Sequence, residues 1–190
     1  DCHAGAGVYD LASTEARRTS EFSTGIGRLW QHRAEPGPAA LAAYLEAVAA
    51  LNPDGNLRHY PGSPALAGQW LRPQDRALLL ELHPQAQLAL KKNLRGDSRS
   101  SVHARDCYEG LPALVPPPIR RGLVLLDPSY EVKDEYRQIV ALTATALRRW
   151  GNASYAIWYP LLGAARHLEL LAALQRSAMP EVLVTELTVA

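Results

Sequence analysis

From residue 77 onward, short apolar runs alternate with amphipathic stretches, and this alternation restricts the fold more than any other feature of the chain. Ala77 to Leu82, Val102 to Asp106, Gly122 to Asp127, Ser154 to Tyr159 and Val182 to Val189 have the length and content of strands. Helical spacing fills the gaps. Pro84 suits the first position of a helix running through Leu88 and Leu94, and Tyr136, Ile139, Val140, Thr143 and Leu147 share one helical face. Leu168, Leu171 and Leu174 share another. Strands and helices in alternation give an α/β fold with a largely parallel sheet. Leu123-Val124-Leu125-Leu126, apolar at every position, is expected to be a central strand covered on both faces.

The front of the chain breaks the pattern. Asp1-Cys2-His3-Ala4-Gly5-Ala6-Gly7 has the character of a turn leaving a strand, although no strand precedes it, so the sheet is expected to be incomplete at this end. Two helical patterns follow, one through Phe22, Ile26, Leu29 and Trp30 and one through Leu41, Tyr44, Leu45, Val48 and Leu51. Glu35-Pro36-Gly37-Pro38 separates them and Asn52-Pro53-Asp54-Gly55 closes the second. In Tyr60-Pro61-Gly62-Ser63-Pro64, Ser63 is expected to cap a new helix and Pro64 to begin it. In nucleotide-binding α/β units an acidic residue for a ribose stands roughly 20 residues after the glycine turn. Glu81 lies far beyond that distance from Gly7, but setting residues 8–63 aside restores a separation of about 18. Residues 8–63 therefore read as an inserted helical subdomain, with 1–7 and 64–190 forming the core.

The chemistry gathers at strand ends. Gly5 and Gly7 either let a ligand approach the backbone or serve only a tight turn. The third glycine of a dinucleotide fingerprint is replaced by Asp10, which counts against a nicotinamide cofactor. Glu81 could accept ribose hydroxyls and Asp106 an exocyclic amine, with the Cys107 backbone beside it; singly, each is equally an ordinary strand-end charge. Asp127-Pro128-Ser129-Tyr130 follows the most apolar strand. An exocyclic amine is a poor nucleophile because its lone pair is delocalised into the ring. The Asp127 carboxylate and the Pro128 carbonyl could each accept one of its hydrogens, and Tyr130 could stack on the ring. The competing reading is a plain Asp-Pro turn. His3 either touches a ligand or fixes its own loop.

Composition closes off several other functions. Twenty Lys and Arg against nineteen Asp and Glu leave a net charge of +1, so any polyanion must be met by a local patch. Arg17, Arg18, Arg28, Arg33 and Arg58 are the candidates for phosphate contacts. The other basic doublets read as solvated surface, and the four tryptophans as packing. Two cysteines far apart support neither a disulfide framework nor a cysteine zinc site, and Cys2 has no partner base at a nucleophile's spacing. No metal is expected. No apolar run approaches the ~18 residues that span a bilayer, so a cytoplasmic protein without membrane contact is expected.

Asp1-Cys2-His3-Ala4-Gly5-Ala6-Gly7, Tyr60-Pro61-Gly62-Ser63-Pro64, Glu81-Leu82-His83-Pro84, Arg120-Arg121-Gly122-Leu123, Asp127-Pro128-Ser129-Tyr130-Glu131 and Trp158-Tyr159-Pro160 occur in an order that resembles the bacterial 23S ribosomal RNA adenine-N6 methyltransferase J family. The resemblance implies a Rossmann-like methyltransferase sheet with a two-helix insertion after its first strand, incomplete in residues 1–190 at both ends. It implies S-adenosyl-L-methionine as cofactor, the N6 of an adenine in 23S ribosomal RNA as target, and a monomer. On that resemblance His3, Gly5, Gly7, Ser63, Glu81, Asp106 and Cys107 line the cofactor, Asp127 and Pro128 hold the amine, and Tyr130 stacks on the base. Ser129 stands where the family has a second proline. The rival readings are a methyltransferase acting on DNA adenine or another planar amine, and a nucleic-acid-binding protein without catalysis linked to the use of external DNA.

Overall fold

A computed structural model describes residues 1–132, 134–162, 165–177 and 179–187. They fall into two compact units, residues 1 and 3–105 in the first and residues 2 and 106–190 in the second.

In the first unit, β1 (Val8–Asp10) pairs antiparallel with β2 (His59–Pro61), Val8 opposite Pro61 and Asp10 opposite His59. The Gly62 N–H donates to the Gly7 carbonyl at 2.8 Å, so the chain that departs at Gly7 returns to the same place. Between the two strands run α1 (Thr14–Thr19), α2 (Glu21–Thr24), α3 (Ile26–Gln31) and α4 (Ala39–Ala50). Two helices with no strand between them were expected from the sequence; four helices form with no strand between them, flanked by two three-residue strands too short to leave a pattern. Ser20 at φ 53° and Gly25 at φ −97°, ψ −108° interrupt the first helical stretch. The apolar residues at helical spacing are thereby divided between α2 and α3. Leu29 is exposed, but the others share one cluster, in which Ile26, Trp30 and Val48 are buried against Phe22, Tyr44, Leu45, Leu57 and Tyr60. At roughly 1.5–3 kcal/mol per buried large apolar side chain, these contacts hold the inserted segment as a packed body.

The first unit continues with α5 (Ser63–Trp70), β3 (Ala77–Leu80), α6 (Pro84–Asn93) and β4 (Ser100–His103). β3 and β4 are parallel, from Ala77 opposite Ser100 to Leu80 opposite His103, with α6 as the crossover. Pro84 opens α6 as its sequence position requires, and the His83 side chain accepts from the Ala86 N–H. Asp1 and Ala4 bond to β3: the Leu80 N–H donates to the Asp1 carbonyl at 2.9 Å and the Ala4 N–H to the Leu80 carbonyl at 3.0 Å. Leu79 and Leu90 are buried with Ala4, and Val102 packs on the same cluster.

The second unit holds α7 (Cys107–Leu114), β5 (Leu123–Leu126), α8 (Glu135–Arg149), β6 (Ser154–Ile157) and α9 (His167–Arg176). β5 and β6 are parallel, Leu123 opposite Ser154 through Leu126 opposite Ile157, and the Cys2 N–H donates to the Leu125 carbonyl at 3.0 Å. Val124 and Leu126 are buried, as are Tyr136, Ile139, Val140 and Thr143 of α8. Leu123 is 63% exposed, so the expected two-sided burial of this strand begins one residue in. The expected strand at Val182 to Val189 is not formed over 182–187, which are exposed, while 188 and 189 lie outside the described residues. A strand-like composition makes a strand only where a partner completes the ladder, and within this unit none pairs with 182–187.

Among the described residues no helix is long and apolar enough to cross a membrane, and no group of three His, Cys, Asp or Glu could hold a metal.

Candidate active site

In the first unit the candidate residues gather at the glycine turn and Glu81. Gly5 (φ +59°) and Gly7 (φ +75°) adopt the left-handed backbone that other residues avoid. A Cβ on Gly5 would also collide with the Tyr9 hydroxyl, and one on Gly7 with Leu90. The glycines thus answer to local packing as well as to any ligand. Glu81 lies one residue past β3 and grips the turn: its Oε2 accepts from the Gly5 N–H at 2.8 Å and its Oε1 from the His83 N–H at 2.7 Å. Each oxygen keeps a second lone pair for a further donor.

Ser63 is not the cap the sequence suggested. Gly62 holds the cap position, Ser63 and Pro64 occupy the first two helical positions, and no side chain caps α5. Proline tolerates either place because the first N–H groups of a helix have no partner within it. The Ser63 hydroxyl instead donates to Asp1 Oδ2 at 2.6 Å, while the His3 N–H donates to Asp1 Oδ1 at 3.2 Å. Asp1 thereby ties the start of α5 to the loop that carries the glycines.

Within the second unit two further sets of candidate residues are found. Asp106 caps α7, its Oδ1 accepting from the Tyr108 N–H at 2.7 Å, which leaves Oδ2 for another donor. Cys107 is buried, and burial, with the nearby Cys2, Asp106 and Glu135, pushes its thiol up to about 12. Burial raises the Cys2 thiol to about 11. Neither thiol is poised as a nucleophile. At the tip of β5, Asp127 is exposed, yet the protein around its carboxyl raises the pKa by desolvation. Pro128 is fully buried and Ser129 is exposed.

Tyr130 departs from its expected part. It is only 4% exposed, its ring centroid lies 4.4 Å from that of Tyr136, and its hydroxyl donates to the Trp158 carbonyl at 2.6 Å. Its φ of +56° is a left-handed conformation that a bulky residue rarely adopts. The ring in this arrangement offers no open stacking face, because packing against α8 has covered it.

Around the inserted helices, Arg17 and Arg58 line an open cleft of about 360 Å³ with Leu11, Ala12, Phe22 and Leu57. Arg58 pairs with Asp10 at 3.4 Å. Arg33 lies over the Trp30 ring at 4.5 Å and donates to the Trp30 carbonyl, so it is partly engaged in packing. Trp30 and Trp150 are core residues as expected, whereas Trp70 and Trp158 are more than half exposed.

Two features had no sequence signal. Asn52, buried at the end of α4, makes four hydrogen bonds: its amide donates to the carbonyls of Val48 and His59, and its oxygen accepts from the N–H groups of Arg58 and His59. The other is the set of buried polar atoms without a hydrogen-bond partner among the described residues, which includes the Tyr108 hydroxyl on α7 and Glu135 Oε2 and the Tyr136 hydroxyl on α8.

Comparison with known proteins gives concordant results. The family model for "Ribosomal RNA large subunit methyltransferase D, RlmJ" matches residues 1–190. Two curated relatives, from Escherichia coli and Haemophilus influenzae, are both named Ribosomal RNA large subunit methyltransferase J. They are 41% and 39% identical over the whole of this chain, which spans about two thirds of their length, 67% in each case. The crystal structure of protein LPL1258 from Legionella pneumophila superposes with a TM-score of 0.85 at 34% identity, covering 93% of this chain and 64% of that one.

Proposed function

Because the chain belongs to the ribosomal RNA large subunit methyltransferase D, RlmJ family, we propose that it carries the catalytic turn and cofactor-binding residues of an enzyme that uses S-adenosyl-L-methionine to methylate the N6 amine of an adenine in 23S ribosomal RNA. The observation that supports this most is the tip of β5. There an exposed carboxylate, its pKa raised by desolvation, precedes a fully buried proline. Two acceptors on one rigid turn suit an amine that has two hydrogens to give and a nitrogen that must stay free to attack.

S-adenosyl-L-methionine, when bound, supplies an electrophilic methyl group on a sulfonium. The residues present fit such a cofactor. Glu81 has a lone pair left on each oxygen for ribose hydroxyls, and Asp106 has Oδ2 left for an exocyclic amine. His3 and Ser63, both fixed through Asp1, flank the glycine turn in the same unit. In the reaction Asp127 and the Pro128 carbonyl take the two N6 hydrogens as hydrogen bonds and aim the nitrogen. Asp127 would take the one proton that N6 gives up on gaining the methyl group, the sulfonium C–S bond breaking to leave a neutral thioether. Desolvation makes that carboxylate a stronger acceptor. Residues 8–63 are the proposed holder of the RNA, with Arg17, Arg18, Arg28, Arg33 and Arg58 supplying phosphate contacts.

The test uses the full-length protein. Methyl transfer is measured on 23S RNA, duplex DNA and free nucleosides, for wild type and for Asp127→Ala. The expected result is transfer to 23S RNA alone, abolished in Asp127→Ala, with cofactor affinity kept within a few-fold. Transfer to duplex DNA would favour a DNA-adenine enzyme. Absence of cofactor binding by the wild type would favour a nucleic-acid-binding module without catalysis. Unchanged turnover in Asp127→Ala would remove Asp127 from the mechanism.

A further inference from the structure

The inserted segment folds so as to bring two cations and three large apolar side chains to one opening. Ser20, at φ 53°, ends α1 and precedes α2, its N–H donating to the Ala16 carbonyl at 2.9 Å and its hydroxyl to the Arg17 carbonyl at 2.8 Å. Arg17 on the last turn of α1 and Phe22 on α2 thereby line the same cleft. Leu11, which follows β1, and Arg58, which precedes β2, complete it, and the Leu11 N–H donates to the Arg58 carbonyl at 2.8 Å. Phe22 and Leu57 pack on the buried Ile26, Trp30 and Val48 and also line the cleft, so its surface is anchored in the core of the segment. Its volume of about 360 Å³ falls within the range of small-ligand pockets, roughly 300–1,000 Å³.

The lining defines the occupant. An aromatic ring among aliphatic side chains suits a flat apolar face, and guanidinium groups beside it suit an anion. Arg17 is exposed. Arg58 meets Asp10 at 3.4 Å, a long contact between exposed side chains that contributes little and that a phosphate oxygen can replace. Among the described residues no acidic side chain lines the cleft itself. A nucleotide joins a flat base to a phosphate in one unit, whereas a lipid headgroup brings the anion without the flat face. In a duplex the base faces are covered by one another, so a nucleotide that fits here is unpaired.

We infer that this cleft is a subsite for one unpaired nucleotide of the RNA, its base on the surface made by Leu11, Phe22 and Leu57 and its phosphate held by Arg17 and Arg58. The inference rests on the proposed methylation of ribosomal RNA and deepens it: the inserted segment grips a nucleotide other than the adenine that is methylated. Because every base has a flat face, the subsite selects single-stranded over duplex RNA and is tolerant of base identity.

The test titrates the full-length protein with a fluorescein-labelled single-stranded RNA of about ten nucleotides, its duplex, and an abasic strand of the same length, over a series of salt concentrations. Wild type is expected to prefer the single strand that carries bases. Phe22→Leu, which keeps an apolar side chain on the core but loses the ring, should weaken binding of that strand roughly 5-fold or more and leave the salt dependence unchanged; Phe22→Trp should restore it. The double variant Arg17→Ala/Arg58→Ala should reduce the slope of log K against log salt by about 0.7, the value for one phosphate of a single strand. Melting temperatures show which variants are folded under the assay conditions. A second measurement needs no variant: RNA carrying 4-thiouridine is irradiated on the wild-type protein, and after trypsin digestion the adduct is expected on residues 19–28, the peptide that contains Phe22. Equal binding of the abasic strand, wild-type affinity in Phe22→Leu, or no adduct on residues 19–28 overturns the subsite. Methyl transfer to 23S RNA without that adduct counts against the subsite alone. The adduct without methyl transfer counts against the enzymatic reading alone.

Discussion

Replacing Glu81 tests how the glycine turn of the first unit is held. Both oxygens of this carboxylate are in use, Oε2 on the Gly5 N–H at 2.8 Å and Oε1 on the His83 N–H at 2.7 Å. Hydrogen bonds to a charged group contribute roughly 1.5–3 kcal/mol each. Glu81→Gln keeps one acceptor and presents an NH2 group where the other stood, so one bond is lost and a donor faces a donor. Gly5 is part-buried and His83 exposed, so the amide oxygen should turn towards Gly5 and the loss should fall at His83, where water replaces part of the bond. The expected cost is therefore near the lower bound, about 1.5 kcal/mol. Glu81→Ala removes both acceptors and should cost about 3 kcal/mol. Equilibrium urea unfolding of the three proteins, with m-values checked for equality, reads these differences as shifts of midpoint. If Glu81 also receives the ribose, calorimetric titration with S-adenosyl-L-methionine should show affinity falling roughly tenfold or more in Glu81→Gln. Glu81→Ala within about 0.5 kcal/mol of wild type would refute the bracing of the turn. A loss of stability without a loss of affinity would refute the ribose role and leave the brace.

Three further outcomes are expected. Asn52→Ala leaves the N–H groups of Arg58 and His59 unpaired beside a buried site, and should cost about 2–5 kcal/mol in urea unfolding, far above an exposed Asn→Ala control such as Asn56→Ala. Asp127→Asn should abolish transfer while raising stability at neutral pH. The native carboxyl has its pKa raised by desolvation, so its favourable contribution belongs to low pH and is lost as the pH rises through and above the ordinary carboxylate range. The gap in melting temperature between variant and wild type should accordingly open on going from pH 3 towards pH 7, and a constant gap would contradict it. Cys2 and Cys107, with thiols raised to about 11 and about 12, should resist a thiol reagent at pH 8 until the protein is unfolded; rapid labelling of the native protein would show that the burial is incomplete.

The strand and helix alternation from Ala77 to Arg176 was legible because each element carries enough residues to express a period. β3 to β6 and helices α6, α8 and α9 lie within a few residues of their expected places. What the sequence did not reveal depends on contacts distant along the chain. β1 and β2 are three residues each and exist through one another. Ser63 looks like a cap locally, and only the approach of Asp1 gives its hydroxyl another acceptor. Tyr130 follows an Asp-Pro pair as an apparently open aromatic, and only the arrival of Tyr136 and the Trp158 carbonyl encloses it. The carboxylates at 81, 106 and 127 were identifiable because each follows a run whose end is visible, whereas Asn52 and the unpartnered atoms of Tyr108, Glu135 and Tyr136 become notable only when burial is known.

Two features at the tip of β5 work against the stability of the fold. Asp127 bears a charge in surroundings that disfavour it, and Tyr130 holds a backbone conformation that costs an L-residue on the order of 1–3 kcal/mol. Neither is required to end a parallel strand; a neutral residue at 127 would do so at lower cost. On the proposed reading both have a use. A carboxylate already stripped of part of its hydration meets an incoming amine without waiting for solvent to rearrange, and a turn braced on both sides keeps the Pro128 carbonyl aimed at the second hydrogen. The pairing also separates this reading from that of a plain Asp-Pro turn. A turn that served only the fold should gain stability from Asp127→Asn at no functional loss, whereas a catalytic turn should trade activity for stability at position 127.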